Sequence, residues 1–242
     1  MNYFVYKGIR SCDLGLRIEK KDVFSAPKYD MDFLAIPGRD GDLIAGAGRF
    51  PNVQITYTVF VVAKSVSELY DRLALVKNWL YTDMDTYHVL SDTYDTQCYR
   101  HGVFSGKLDI DEQLNRIGTF TISFSCRPFR RTVEGDVAVE FYKDGAITNP
   151  FPFTSKPLIR IFGTGEGSLT LTTPSHTAIW TFTDINGYLD IDSEQMNFYK
   201  DATPMNDTVS GSGFPLLYSG DNEIAFSGDI VEVHVTPRWC CL

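Results

Sequence analysis

Alternation of apolar and polar residues with a period of two is the feature that most constrains the fold of this chain of 242 residues. Residues 53–62 place five apolar side chains on one face: Val53, Ile55, Tyr57, Val59 and Val61. Residues 119–127 repeat the pattern with Phe120, Ile122, Phe124 and Cys126. Successive side chains of a strand point to opposite faces, so both segments predict half-buried strands of an antiparallel sheet.

A single amphipathic helix is predicted between residues 66 and 80. Ser65 occupies the position of an N-cap and Glu68 follows three residues later, which is the pattern of a capping box. Apolar residues then recur at helical spacing: Val66, Leu69, Leu73, Val76 and Leu80, with Trp79 beside them. We expect this helix to cover one face of a sheet, with Arg72 and Lys77 on its opposite side.

The character of the sequence changes near residues 127–134. Beyond this point no second capped helix is apparent, and short strand patterns alternate with turn residues. Hairpin turns are predicted at residues 163–167, at Asn186-Gly187 and at residues 227–229. Strands at this spacing are typical of a β-sandwich, so the chain is predicted to be mainly β.

Charge and composition argue against several kinds of partner. The formal net charge is −9 and no run of Lys and Arg is present, which disfavours stable binding to nucleic acid or to an anionic membrane surface. No apolar stretch approaches the length of a membrane span, and no export signal is visible at the N-terminus, so we expect no membrane insertion. The five cysteines include no CxxC pair, which fits folding in a reducing cytoplasm.

No set of residues in the sequence indicates catalysis, a cofactor or a metal. The four histidines, His88, His101, His176 and His234, are far apart, and no GxSxG motif or phosphate-binding loop is present. Acidic residues between positions 184 and 194 do not have EF-hand spacing and are interpreted as solvent-facing carboxylates beside the Asn-Gly turn. The chain is therefore predicted not to be an enzyme, with a glycoside hydrolase as a distant alternative because paired carboxylates are hard to exclude.

Three aromatic residues of the second half, Trp180, Tyr188 and Tyr199, are candidates for stacking on sugar rings. Packing in the core is the commoner fate of such residues. A carbohydrate-binding adhesin module therefore stays open as the alternative function.

Short motifs along nearly the whole chain together point to one known family. In the first half these are FVYKG at 4–8, SCDLGLRI at 11–18, IPGRDG at 36–41 and FSCRP at 124–128. In the second half they are NPF at 149–151, PLIRIFG at 157–163, IDSE at 191–194, FPLL at 214–217 and PRW at 237–239. Together these motifs resemble those of the distal tail proteins (Dit) of siphophages. The family commonly has another aromatic residue after PRW, whereas this chain has Cys240 and Cys241. It also lacks the long insertions that carry extra sugar-binding domains in some relatives.

The resemblance implies a two-domain architecture. Residues 1–132 would form a ring-building β-sandwich with one α-helix and a hairpin, and residues 133–242 a galectin-like β-sandwich that projects outward. It also implies a homohexameric ring at the distal end of the tail, which meets the tail tube protein, the tail-associated tip protein and a receptor-binding protein. Such a protein would be assembled in the cytoplasm of the bacterial host, reside at the virion tail tip and catalyse no reaction.

The segment Gly38, Arg39, Asp40 and Gly41 is the candidate ring motif. Read from its residues alone it is a tight turn between two strands. The resemblance adds a contact within the ring as a second interpretation, and both interpretations stay open.

Overall fold

The computed structural model describes residues 2–46, 48–113 and 116–242. The chain divides into two compact units, the first running to Arg130 and including Leu242, the second comprising Arg131–Cys241. The domain boundary predicted from the sequence, between residues 132 and 133, lies two residues later. The predicted fold class is confirmed, since the described chain is mainly antiparallel β-structure with one α-helix.

The first unit contains ten strands and the helix: β1 (Phe4–Tyr6), β2 (Ile9–Arg10), β3 (Leu16–Asp22), β4 (Met31–Leu34), β5 (Leu43–Gly46), β6 (Val53–Val62), α1 (Val66–Tyr81), β7 (His88–Asp92), β8 (Asp95–Phe104), β9 (Asp111–Gln113) and β10 (Ile117–Cys126). The main sheet has the order β2-β1-β7-β8-β10-β6-β3, and β9 pairs with β10. Strands β4 and β5 form a separate hairpin outside this sheet.

The core of the first unit lies between the sheet and α1. The apolar residues that the alternation assigned to one face of β6 and of β10 are all buried, and the two strands pair over their full lengths. The helix buries five residues: Leu69, Leu73, Val76, Trp79 and Leu80. The indole N–H of Trp79 donates a hydrogen bond to the carbonyl oxygen of Tyr6 at 3.1 Å, which ties the helix to β1.

The N-terminus of α1 is capped almost as predicted. The Ser65 hydroxyl accepts a hydrogen bond from the Glu68 N–H at 3.2 Å. The Glu68 carboxylate accepts from the N–H of Lys64 at 2.8 Å, one residue before the N-cap, where a capping box would use the N-cap N–H itself.

Replacing Ser65 with alanine is expected to lower the free energy of unfolding by about 1 kcal/mol, because one N–H at the helix terminus loses its acceptor. Urea denaturation followed by far-ultraviolet circular dichroism measures the change. Ser67→Ala, at an exposed position in the first turn of the same helix, is the control and should change stability by less than about 0.5 kcal/mol. Equal effects of the two substitutions would contradict the capping role.

The second unit is built around three long strands, β14, β15 and β19. Its strands are β12 (Val139–Phe141), β13 (Gly145–Asn149), β14 (Leu158–Thr172), β15 (Thr177–Asp192), β16 (Asn197–Lys200), β17 (Thr203–Pro204), β18 (Val209–Gly211) and β19 (Gly220–Thr236). Two further short strands, β11 (Arg130–Thr132) and β20 (Cys240–Cys241), lie at the unit boundary and the C-terminus. The sheet has the order β12-β19-β14-β15-β16-β17, while β13 pairs with β19 and β18 with β15.

The three hairpin turns predicted in the second half are wrong. Each falls inside one continuous strand, respectively β14, β15 and β19. The three segments lie side by side in the sheet, since Gly163 pairs with Gly187 and Gly167 pairs with Gly228. Register shifts between Gly163 and Gly167 mark β-bulges at this position. Glycines at positive φ are common to tight turns and to bulges, so local sequence cannot separate the two.

This band of glycines lets the long strands bend. A strand of 15 residues such as β14 would extend about 50 Å if straight, whereas a domain of about 100 residues has a radius of gyration of about 13 Å. Residues on both sides of the bulges contribute to one core, including Ile159 and Ile161 before them and Leu169 and Leu171 after them. Both halves of β14 therefore pack into the same core.

Candidate functional site

The candidate ring motif lies at the tip of the β4–β5 hairpin. Gly38 and Gly41 have φ angles of 81° and 79°, and the N–H of Arg39 donates to the carbonyl oxygen of Ile36 at 3.2 Å. All four motif residues are exposed. The interpretation as a tight turn between strands therefore agrees with the structure, and the role in ring contacts stays a prediction.

The β4–β5 hairpin is apolar on both of its faces. Phe33 is paired with Ile44, and Leu34 is paired with Leu43. Phe33 and Ile44 are 61% and 63% exposed, and Leu34 and Leu43 are also exposed. An isolated two-stranded hairpin is marginally stable in water, and contiguous exposed apolar side chains commonly mark binding surfaces. We call this surface, defined by Phe33, Leu34, Leu43 and Ile44, the hairpin surface.

The base of the hairpin is closed by an ion pair and attached to the rest of the first unit by aromatic contacts. Arg49 and Asp30 form an ion pair at 3.2 Å. The Tyr29 ring contacts the Phe50 ring at 5.0 Å between centroids, and Phe50 contacts Phe129 at 5.6 Å. The hairpin is thus held at its base while its apolar strands face solvent.

The aromatic residues proposed for sugar stacking do not form one surface. Trp180 is 1% exposed and its indole N–H donates to the carbonyl oxygen of Gly213 at 2.9 Å, so its ring offers no face to a sugar. It packs in the core because alternation in β15 directs it inward, which corrects its interpretation as a surface aromatic. Tyr188 and Tyr199 are half-buried, and their role in sugar binding stays a prediction.

The ring of Tyr188 already has cationic neighbours. The Arg160 guanidinium lies 4.5 Å and the Lys200 ammonium 5.3 Å from its centroid, and its hydroxyl contacts Asp201 at 2.5 Å. A sugar stacked on this ring would have to compete with these cation–π contacts.

The acidic residues near the end of β15 are ion-paired, so their interpretation as solvent-facing carboxylates is wrong for this group. Asp190 accepts two hydrogen bonds from Arg160, at 2.6 and 2.8 Å, and is 3% exposed. Asp192 is 2% exposed and accepts two from Arg238, at 2.8 and 3.0 Å. Glu194 pairs with Arg131.

The Asp192–Arg238 pair joins two sequence motifs, IDSE and PRW, that lie 46 residues apart. Burial raises the pKa of the Asp192 carboxyl, but the hydrogen bonds from Arg238 and from the backbone N–H groups of Gln195 and Glu194 outweigh it, so the net pKa is lowered. Both motifs are apparent in the sequence, but no pattern in it indicates that they are in contact.

Among the residues that the structure describes, no helix has the length and apolar character required to cross a bilayer.

Comparisons with known proteins agree with these features. Residues 15–126, from the residue before β3 to the end of β10, match the family model of the phage tail protein RIFT-related domain. The whole fold is similar to that of the Dit protein of phage SPP1, described as a paradigm of hub adsorption apparatus in phages that infect Gram-positive bacteria. The TM-score is 0.80, with 14% identity and 100% of both chains covered.

Chains from the phage p2 baseplate in its activated conformation, with Ca and with Sr, are also similar. Their TM-scores are both 0.54, their identities 9% and 10%, and 97% of each chain is covered. No curated protein matches the sequence. The family match over residues 15–126 and the shared fold therefore confirm the predicted resemblance of the chain to siphophage distal tail proteins.

Proposed function

We propose that this protein is a non-catalytic structural component of a phage tail, which forms a hexameric hub at the distal end of the tail. The hub would join the tail tube protein to the tail-tip protein and the host-adsorption apparatus, including a receptor-binding protein. It would assemble in the cytoplasm of the bacterial host and reside at the virion tail tip. The family match of residues 15–126 and the fold shared with SPP1 Dit support this role.

The hairpin surface is the observation that supports ring formation most directly. Four apolar side chains on two faces of a hairpin, exposed in a single chain, gain free energy when a neighbouring copy covers them. In a cyclic ring each copy contributes its own hairpin to one neighbour and binds the hairpin of the other neighbour, so the repeated contact closes the ring. The first domain, predicted as residues 1–132, would thus build the ring, and the galectin-like second domain, residues 133–242, would project outward.

Ile44→Asp is expected to abolish the ring, because a charge would have to be buried in the contact between copies. Sedimentation velocity should show the unaltered protein at about six times the chain mass of 27.3 kDa and the variant as a monomer. The matched control is Ile179→Asp, also an exposed strand isoleucine but in the second unit, which should leave the ring intact.

Two outcomes would contradict the proposal. One is an unaltered protein that stays monomeric over the whole accessible concentration range. The other is a ring that survives Ile44→Asp, which would exclude the hairpin surface from the contact.

A further inference from the structure

The outer face of the second unit brings together one histidine and two glutamates from different parts of the chain. Ligand atoms of Glu140, Glu232 and His234 all lie within 4.8 Å of one another. Glu140 is exposed and the other two are half-buried, so the cluster is open to solvent. No motif in the sequence indicated it, because Glu140 is far from the other two residues along the chain.

Strand pairing explains why the three side chains converge. Glu140 in β12 is directly opposite His234 in β19, and Cβ atoms of such pairs lie about 5 Å apart. Glu232 precedes His234 by two residues and therefore points to the same face. Three ligands are thus held on one face by two paired backbones.

Neighbouring side chains orient the cluster. The His234 ring packs against the Phe162 ring with centroids 4.7 Å apart, and its Nε2 lies 2.5 Å from Oε1 of Glu232. The Tyr142 hydroxyl donates to Oε2 of Glu140 at 2.8 Å. Phe162 therefore restrains the imidazole, and Tyr142 restrains one carboxylate.

The charge of the cluster suits a cation. Two carboxylates converge on one imidazole, and when that imidazole is neutral the group has an excess of negative charge. Arg160 pairs with His234 in strand register, but its guanidinium donates two hydrogen bonds to Asp190, at 2.6 and 2.8 Å. A divalent ion at the centre would neutralise both carboxylates.

We propose that Glu140, Glu232 and Nε2 of His234 form a binding site for a divalent transition-metal ion of the Zn²⁺ type. An imidazole together with carboxylates favours such ions over Ca²⁺ or Mg²⁺, which prefer oxygen ligands alone. Zinc–ligand distances of about 2.0–2.2 Å place tetrahedral ligand atoms about 3.4 Å apart, so the glutamates need only small side-chain rotations. Three protein ligands leave a fourth position for water or for a group of a partner protein.

Isothermal titration of the full chain, freed of metal with a chelator, with Zn²⁺ tests the site. His234→Ala and Glu140→Gln are each expected to weaken one Zn²⁺ equivalent at least tenfold. His176→Ala, a histidine of the same unit outside the cluster, is the matched control and should bind as the unaltered protein does. Zn²⁺ bound by the five cysteines would be common to all four proteins and would not affect the comparison.

Glu140→Gln keeps the test valid if His234→Ala does not fold, because Glu140 is exposed on a short strand. Titration curves of both cluster variants that superimpose on that of the unaltered protein would overturn the proposal. Tighter binding of Ca²⁺ than of Zn²⁺ in a parallel titration would overturn it as well, because it would assign no role to the imidazole.

Discussion

Replacing Asp192 with alanine is expected to lower the free energy of unfolding of the second unit by about 3–5 kcal/mol, as for other buried ion pairs that lose one partner. The carboxylate is 2% exposed and receives two hydrogen bonds from Arg238 and two from the backbone N–H groups of Glu194 and Gln195. Its removal leaves the half-buried Arg238 guanidinium with the more distant Glu194, at 3.7 Å, as its remaining counter-charge.

The same pair predicts a dependence of stability on pH. The pKa of Asp192 is lowered from its ordinary value of 3.8 in the folded protein, so its stabilising contribution is complete above that value. The contribution is lost as pH falls through the folded-state pKa, because protonation removes the charge that Arg238 binds. The difference in unfolding free energy between Asp192→Ala and the unaltered protein should therefore become smaller at acid pH.

Hydrogen exchange of peptides from β14, β15 and β19, measured by mass spectrometry, reports the stability of this unit. Asp184→Ala is the matched control, since Asp184 is exposed on the same strand β15, and its effect should stay below about 0.5 kcal/mol. Similar protection in the two variants would show that the ion pair contributes little.

Replacing Gly228 with alanine is expected to destabilise the second unit by about 2–6 kcal/mol. Backbone strain contributes about 1–3 kcal/mol of this loss, and overpacking contributes about 1–3 kcal/mol. Gly228 has a φ of 75°, and a Cβ there would lie 2.5 Å from the carbonyl oxygen of Glu166 and 2.7 Å from the Cα of Gly167. These are backbone atoms of β14, so β14 and β19 would have to separate at the bulge.

Gly187→Ala separates the two contributions. Gly187 lies in the same band of glycines with a φ of 82°, but a Cβ there meets nothing within 4 Å. Alanine at this position should destabilise the unit only by the free energy of holding a side-chain-bearing residue in the left-handed conformation, about 1–2 kcal/mol. If hydrogen exchange shows the same loss of stability for Gly228→Ala and Gly187→Ala, the close approach of β14 and β19 at Gly228 does not constrain the fold.

Local patterns in the sequence predicted the parts of the fold that depend on neighbouring residues. The buried faces of β6 and β10 follow from alternation, and α1 follows from its cap and its apolar spacing. The structure ends the helix at Tyr81, one residue beyond the prediction.

Features that depend on distant residues could not be predicted in this way. The glycines of β14, β15 and β19 look like turns one at a time, and only strand pairing shows that they form one band of bulges. The partner of Asp192 lies 46 residues away, and Glu140 meets His234 only through the register of β12 and β19. The apolar residues of the β4–β5 hairpin resemble core residues in sequence, and only the structure shows that they are exposed.

Electron microscopy of the purified protein tests the central proposal most directly. If the chain is a tail hub, class averages should show rings with six-fold symmetry and an open central channel. Fields that contain only particles of single-chain size, 27.3 kDa, at every concentration would contradict a ring that the chain forms by itself.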